Sequence, residues 1–90
     1  MEIEIDIKSK KIERVINSVV DLIKDYEIPN INRLVFAESD SNKLIVAVFT
    51  ENYMNSNRID KIISSLTSQI SNYLGLNPII IITKDPKLVD

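Results

Sequence analysis

Four basic residues near the amino terminus form the densest group of like charges in this sequence. Lys8, Lys10, Lys11 and Arg14 fall at the predicted start of a helix, where free backbone amides also favour anions. Such a cluster can bind phosphate groups. It indicates one of two candidate functions, nucleic-acid binding, with an affinity that falls steeply as salt rises. The competing interpretation is a solvated helix end whose charges pair within the molecule.

A second group of polar side chains lies in a predicted turn between two strands. Glu38, Asp40 and Asn42 stand at alternate positions, so their oxygens could converge on a hard cation such as Ca²⁺ or Mg²⁺. An EF-hand loop begun at Asp40 would need glycine at its sixth position, where the chain has Ile45. Because Asp, Asn and Ser are ordinary turn residues, we favour a solvated turn and predict neither a metal site nor a cofactor.

The residue types on which many enzymes depend are missing from the sequence. The chain has no histidine, no cysteine and one glycine, which excludes Ser-His-Asp and Cys-His sites, the usual zinc sites and glycine-rich phosphate loops. We therefore predict a protein that is not an enzyme.

The lack of cysteine suits a reducing cytoplasm, the predicted location. A net charge of −2 gives no general attraction to nucleic acid or anionic lipid, and no apolar run approaches the ~20 residues of a membrane span.

Hydrophobic periodicity predicts the elements that must position these side chains. Residues 2–8 alternate charge with isoleucine, as in a half-buried strand. One helix follows Ser9, which can cap it, and a second starts near Asn55 to Asn57, where asparagine and serine can cap. Gly75 is placed to stop the second. The predicted buried helix faces are Ile12, Val15, Ile16, Val19, Ile23 and Tyr26, and then Ile59, Ile62, Ile63, Leu66, Ile70, Tyr73 and Leu74. The remaining strands are 32–38, 43–50 and 79–82, with a hairpin turn at 39–42.

The order β-α-β-β-α-β predicts one α+β domain over residues 1–90. It favours a ferredoxin-like two-layer sandwich, in which two helices cover one face of four antiparallel strands and the first and third strands lie in the middle. The hydrophobic pattern conflicts with part of this arrangement. The first strand alternates like an exposed element, whereas 44–49 and 79–82 are apolar on both faces, as central strands are. Either the first strand lies at an edge and the last is central, or another chain covers the open face.

The apolar second face of the sheet leads to the main functional hypothesis, a small protein-interaction or assembly module. Its partner would be a second copy or another protein, with a homodimer favoured. No charged residue lies between Lys61 and Lys84, which supports association because interface cores are depleted of charge. The predicted interface residues are Ile45, Ala47, Phe49, Ile79, Ile80, Ile81 and Ile82, with Leu44, Val46 and Val48 as the alternate set on the third strand. In the nucleic-acid alternative, Lys84 or Lys87 of a second subunit would join the basic cluster.

Two families resemble this chain in the order of its elements. From Lys11 to Pro86, the segments NRLVFAESDSNKLIVAVFT, NRIDKIISSLTSQISNYL and IIIITKDP resemble the cytoplasmic domain of cation diffusion facilitators. That resemblance implies an α+β fold and a dimer, while the family's metal-binding histidines have no counterpart here. From Asp25 to Asp85 the chain also resembles the KH-like ribosome-binding factor A family, which implies RNA binding, although it has no GxxG loop.

Overall fold

The computed structural model describes residues 1–88, which form an α+β structure of four strands and three helices. None of these helices combines the length and apolarity needed to cross a membrane. The strands are β1 (Glu2–Asp6), β2 (Ile31–Glu38), β3 (Leu44–Thr50) and β4 (Ile79–Lys84), and the helices are α1 (Lys10–Glu13), α2 (Ile16–Asp25) and α3 (Ser56–Leu74).

The first predicted helix is divided into two in the structure. The Ser9 hydroxyl accepts a hydrogen bond from the Ile12 amide at 3.5 Å and so caps α1, as predicted. The helix then breaks at Arg14 and Val15, where the Val15 amide donates to the Ile12 carbonyl at 3.1 Å. The break coincides with two adjacent β-branched residues, Val15 and Ile16, which are weak helix formers. The predicted apolar stripe continues into α2, which buries Ile16, Val19, Val20 and Ile23.

The second predicted helix is confirmed with both of its caps. The Asn55 side chain accepts hydrogen bonds from the amides of Asn57 (2.9 Å) and Arg58 (3.3 Å) at the start of α3. Gly75 ends the helix in the left-handed conformation, with φ of 65°, which glycine adopts without a steric penalty. Tyr73 was expected on the buried face, but its ring is exposed.

The strand order in the sheet is β1-β2-β3-β4, so β1 and β4 are its edges. The predicted hairpin is confirmed, because β2 pairs antiparallel with β3. However, β1 pairs parallel with β2, and β4 pairs parallel with β3. The ferredoxin-like arrangement of four antiparallel strands is therefore not confirmed. The hydrophobic pattern left two explanations for the strands that are apolar on both faces. One was that the first strand lies at an edge and the last is central. β1 does lie at an edge, but the expectation that the last strand is central is wrong.

Both longer helices pack against the same face of the sheet, which we call the helix face. The Tyr26 hydroxyl, just after α2, lies 2.6 Å from the Ser65 hydroxyl and donates to Gln69 Oε1 at 3.1 Å, both on α3. Side chains of three strands meet the helices in one hydrophobic core. Its strand residues are Leu34 and Phe36 of β2, Leu44, Val46 and Val48 of β3, and Ile80 and Ile82 of β4.

The two phenylalanines allow the covered and open faces to be compared by one substitution. Phe36 is fully buried beneath the helices, whereas Phe49 is only partly buried on the opposite face. We expect Phe36→Ala to lower the free energy of unfolding by about 3–5 kcal/mol, because it leaves a cavity in the core. Phe49→Ala should cost clearly less in the same urea titration. Equal losses would contradict the assignment of the core to the helix face.

Candidate association surface

The face of the sheet opposite the helices, which we call the open face, is built from three rows of side chains. The register aligns one residue of each strand in every row, because alternate side chains of a strand share a face. In order from β1 to β4, the rows are Glu2, Arg33, Phe49 and Thr83, then Glu4, Val35, Ala47 and Ile81, and then Asp6, Ala37, Ile45 and Ile79.

The first row is occupied by a charged network centred on Arg33. The guanidinium lies over the Phe49 ring, with its central carbon 4.1 Å from the ring centroid, which is the geometry of a cation-π contact. A carboxylate oxygen of Glu4 lies 3.6 Å from one guanidinium nitrogen. Arg33 itself is buried, so the aromatic ring and the acidic groups replace much of its contact with water.

The strongest partner of Arg33 is the buried carboxylate of Asp85, which directly follows β4. Arg33 Nε donates to one oxygen of Asp85 at 2.8 Å and Arg33 Nη2 to the other at 3.2 Å, which makes a bidentate ion pair. The Asn32 side-chain amide donates to Asp85 at 2.6 Å, and the Lys87 backbone amide donates at 3.0 Å. The hydrogen bonds from Arg33 are the largest cause that holds the pKa of Asp85 well below its usual range. Residues that follow the edge strand are thereby tied to β2.

The other two rows form a continuous apolar surface across β2, β3 and β4, which we call the apolar patch. Its members are Val35, Ala37, Ile45, Ala47, Ile79 and Ile81. Exposure rises toward the edge, because Ala47 of β3 is 9% exposed whereas Ile79 and Ile81 of β4 are 44% and 47% exposed. Each apolar row ends on β1 in a carboxylate, Glu4 or Asp6. On the open face, charge thus lies along β1 and in the first row, outside the apolar patch.

The structure divides the interface residues predicted from the sequence between the two faces. Ile45, Ala47, Phe49, Ile79 and Ile81 lie on the open face. Ile80 and Ile82 lie in the core beneath the helices, at 8% and 6% exposure, so their side chains are not part of the open face, and their place in an interface stays a prediction. The alternate set on β3, Leu44, Val46 and Val48, is likewise buried in the core.

The basic cluster lies at the surface, but a carboxylate of the same chain reaches its backbone amides. Lys8, Lys10, Lys11 and Arg14 are all exposed. One oxygen of Glu38 accepts hydrogen bonds from the amides of Lys8 (3.2 Å) and Ser9 (2.8 Å), where an external anion would otherwise bind. Nucleic-acid binding by this cluster stays a prediction.

The predicted polar turn is closed by its own serines. Ser39 Oγ accepts from the Lys43 amide at 3.1 Å and lies 3.0 Å from Ser41 Oγ, while Asn42 adopts a left-handed conformation with φ of 62°. Glu38 is directed toward α1 rather than into this turn. Among residues 1–88, no group of three or more His, Cys, Asp or Glu side chains is arranged to hold a metal ion.

A half-open cavity of about 450 Å³ lies between the start of α1, the hairpin turn and the end of α3. Lys11 is its one charged lining residue, beside Ser9, Asn42 and Asn77. It contains no acid and base pair that could transfer a proton. Within the described part of the chain, every buried side-chain nitrogen and oxygen has a hydrogen-bond partner.

Sequence reasoning missed the network of Arg33, Asp85 and Asn32. One signal was present, because Arg33 stands directly before the apolar run 34–37 and a buried arginine requires an anionic partner. Arg33 and Asp85 are 52 positions apart, so nothing local indicated that they meet.

Comparisons of this chain with protein-family models, with curated proteins and with solved structures find no match.

The buried ion pair predicts how stability changes in acid. Because the pKa of Asp85 is lower in the folded than in the unfolded chain, its contribution is fully present above the ordinary Asp pKa of about 4 and is lost as pH falls below it. Asp85→Asn should remove this contribution, so the variant is less stable at neutral pH and loses less stability between pH 5 and pH 2. Urea unfolding at a series of pH values measures both effects.

Asp21→Asn is the matched control, because Asp21 is an exposed carboxylate on α2. It should retain the acid dependence of the unmodified protein. An Asp85→Asn profile parallel to that of the unmodified protein would show that the ion pair does not couple folding to pH.

Proposed function

We propose that this protein is a non-enzymatic assembly module that associates with a second copy of itself through the β4 side of its sheet. The observation that carries the proposal is the apolar patch, which crosses three strands without a charged side chain and ends in the exposed Ile79 and Ile81. Apolar surface that continues to a strand edge without charge favours association at that edge. The other side of the open face carries Glu2, Glu4 and Asp6.

The charge distribution favours a contact centred on β3 and β4. If two sheets stacked over their full width, the carboxylates of β1 would face either isoleucines of β4 or the same carboxylates of the second copy. Both arrangements remove carboxylate charge from water without adding a cationic partner and are costly. A contact centred on β4 avoids this cost, because Thr83 is the one polar side chain that β4 presents on the open face.

The area of the apolar patch also limits the kind of contact. Six side chains on three strands ~4.8 Å apart, in two rows ~7 Å apart, cover roughly 200 Å². A specific interface usually buries about 800 Å² on each partner. The apolar patch is therefore the centre of a larger contact that includes more of β4, and we expect association in the micromolar range rather than a permanent dimer.

Sedimentation equilibrium of two glutamate variants tests this proposal. Ile81→Glu should weaken dimerisation about a hundredfold or more, because it places a charge in an apolar contact. Ile5→Glu is the matched control, because Ile5 is exposed to a similar degree but lies on β1 and on the helix face. It should dimerise like the unmodified chain. A monomeric unmodified protein would refute self-association, and dissociation by Ile5→Glu alone would move the contact to β1.

A further inference from the structure

The two edges of the sheet differ sharply in charge. β1 carries Glu2, Glu4 and Asp6, and charged side chains on an edge strand oppose pairing with another edge. β4 has four isoleucines and a threonine before its first charge at Lys84, so it lacks this protection. Pairing β1 with a second β1 in the antiparallel sense would place carboxylates opposite carboxylates on one face, which is destabilising. The same pairing of β4 brings together only uncharged side chains from Ile79 to Thr83.

The backbone of β4 directs hydrogen-bonding groups toward the free edge. The Asp85 amide donates to the Thr50 carbonyl at 2.8 Å, and the Thr83 carbonyl accepts from the Thr50 hydroxyl at 3.4 Å, so odd-numbered backbone groups point toward β3. Because backbone groups of successive residues point to opposite edges of a strand, those of Ile80 and Ile82 point outward. In the part of the chain the structure describes, no strand lies beyond β4.

We propose that β4 pairs antiparallel with β4 of a second copy, so that the two four-stranded sheets become one continuous sheet. This inference rests on the proposed self-association and specifies its geometry. The two-fold axis is perpendicular to the sheet, which keeps the helices of both copies on the same side. The partner is a second copy because an uncharged strand has no charge by which to select a different protein, while its alternating faces match themselves.

The facing of the side chains and the uncharged length of β4 together determine the register. Residues that lie opposite each other must share a face, which excludes a shift by one residue but not by two. Of the allowed registers, the one that aligns the whole uncharged segment from Ile79 to Thr83 with itself places Ile81 opposite Ile81 of the partner subunit and Ile79 opposite Thr83 of the partner subunit. Ile80 then lies opposite Ile82 of the partner subunit. These two residues have outward backbone groups, so they form the hydrogen-bonded pair that an antiparallel ladder requires. A shift by one residue would place core isoleucines against open-face isoleucines.

Edge pairing also accounts for where the exposed apolar surface lies. Ile79 and Ile81 are more exposed than their β3 neighbours because no strand flanks them on the outer side. A second β4 supplies that flank and brings the two apolar patches together across the axis. The contact then includes backbone hydrogen bonds between the two β4 strands as well as side chains. These additional contacts are needed because one apolar patch is smaller than a specific interface.

Disulfide trapping tests this register directly, since the natural chain has no cysteine. Ile81→Cys should form a disulfide-linked dimer by itself under mild oxidation, because the two Cβ atoms at this position lie about 4.5–5.5 Å apart in an antiparallel pair. Ile79→Cys and Thr83→Cys should each remain largely unlinked alone but form a mixed disulfide when combined. Glu4→Cys on β1 is the control and should not form a dimer.

The outcomes separate the register from the proposed function. A dimer in sedimentation whose mixed Ile79→Cys and Thr83→Cys sample stays unlinked would overturn edge pairing while leaving self-association in place. A protein that remains monomeric would overturn both. Efficient trapping of Glu4→Cys would place the contact on the acidic edge and contradict the inference.

Discussion

A four-stranded sheet has two faces, and in this protein both long helices pack against the same one. The rest of the structure depends on this one-sided cover. β2, β3 and β4 can bury one set of alternate side chains beneath α2 and α3, and those side chains form the core. The other set has to be accommodated without a second layer of helices. How the open face meets this requirement explains both the buried charges and the exposed isoleucines.

The open face meets the requirement differently in different rows. In the first row, Arg33 covers Phe49 and is neutralised by Asp85 and Glu4, so the polar groups satisfy one another. This network also fixes the end of β4 to β2, two strands away. In the other two rows no such network exists, and apolar side chains continue to the β4 edge. β1 carries three carboxylates, whereas β4 carries no charge before Lys84, and the proposed association rests on this difference between the two edges.

Much of the local structure could be predicted from the sequence, because it depends on neighbouring residues. The existence of β1, the hairpin of β2 and β3, and the caps of α3 at Asn55 and Gly75 are confirmed. The prediction that β1 is half-buried is wrong, because Ile3 and Ile5 are exposed at this edge of the sheet. The place of β4 could not be predicted in the same way. Four consecutive isoleucines are typical of a strand covered on both faces, yet here Ile80 and Ile82 are covered and Ile79 and Ile81 are not.

Strand order depends on pairings between distant segments, and hydrophobic periodicity carries no information about those pairings. The candidate site was likewise predictable only where it depends on the alternation within one strand. Because a strand alternates its side chains, the sequence indicated that Ile45, Ala47 and Phe49 share one face. It did not show which two of Ile79 to Ile82 lie on that face, or whether that face or the one with Leu44, Val46 and Val48 is open. It did not show that Arg33 and Asp85 meet, and it therefore did not show that the Phe49 end of this face is occupied by charge.

The central claim is that the β4 edge, unlike the β1 edge, is completed by a second copy of the chain. Amide hydrogen exchange measured as a function of protein concentration tests it most directly. The account predicts that the amides of Ile80 and Ile82 exchange rapidly in dilute protein and become protected as concentration rises, while exchange in β1 does not change. Exchange of the Ile80 and Ile82 amides at the same rate at every concentration would contradict it.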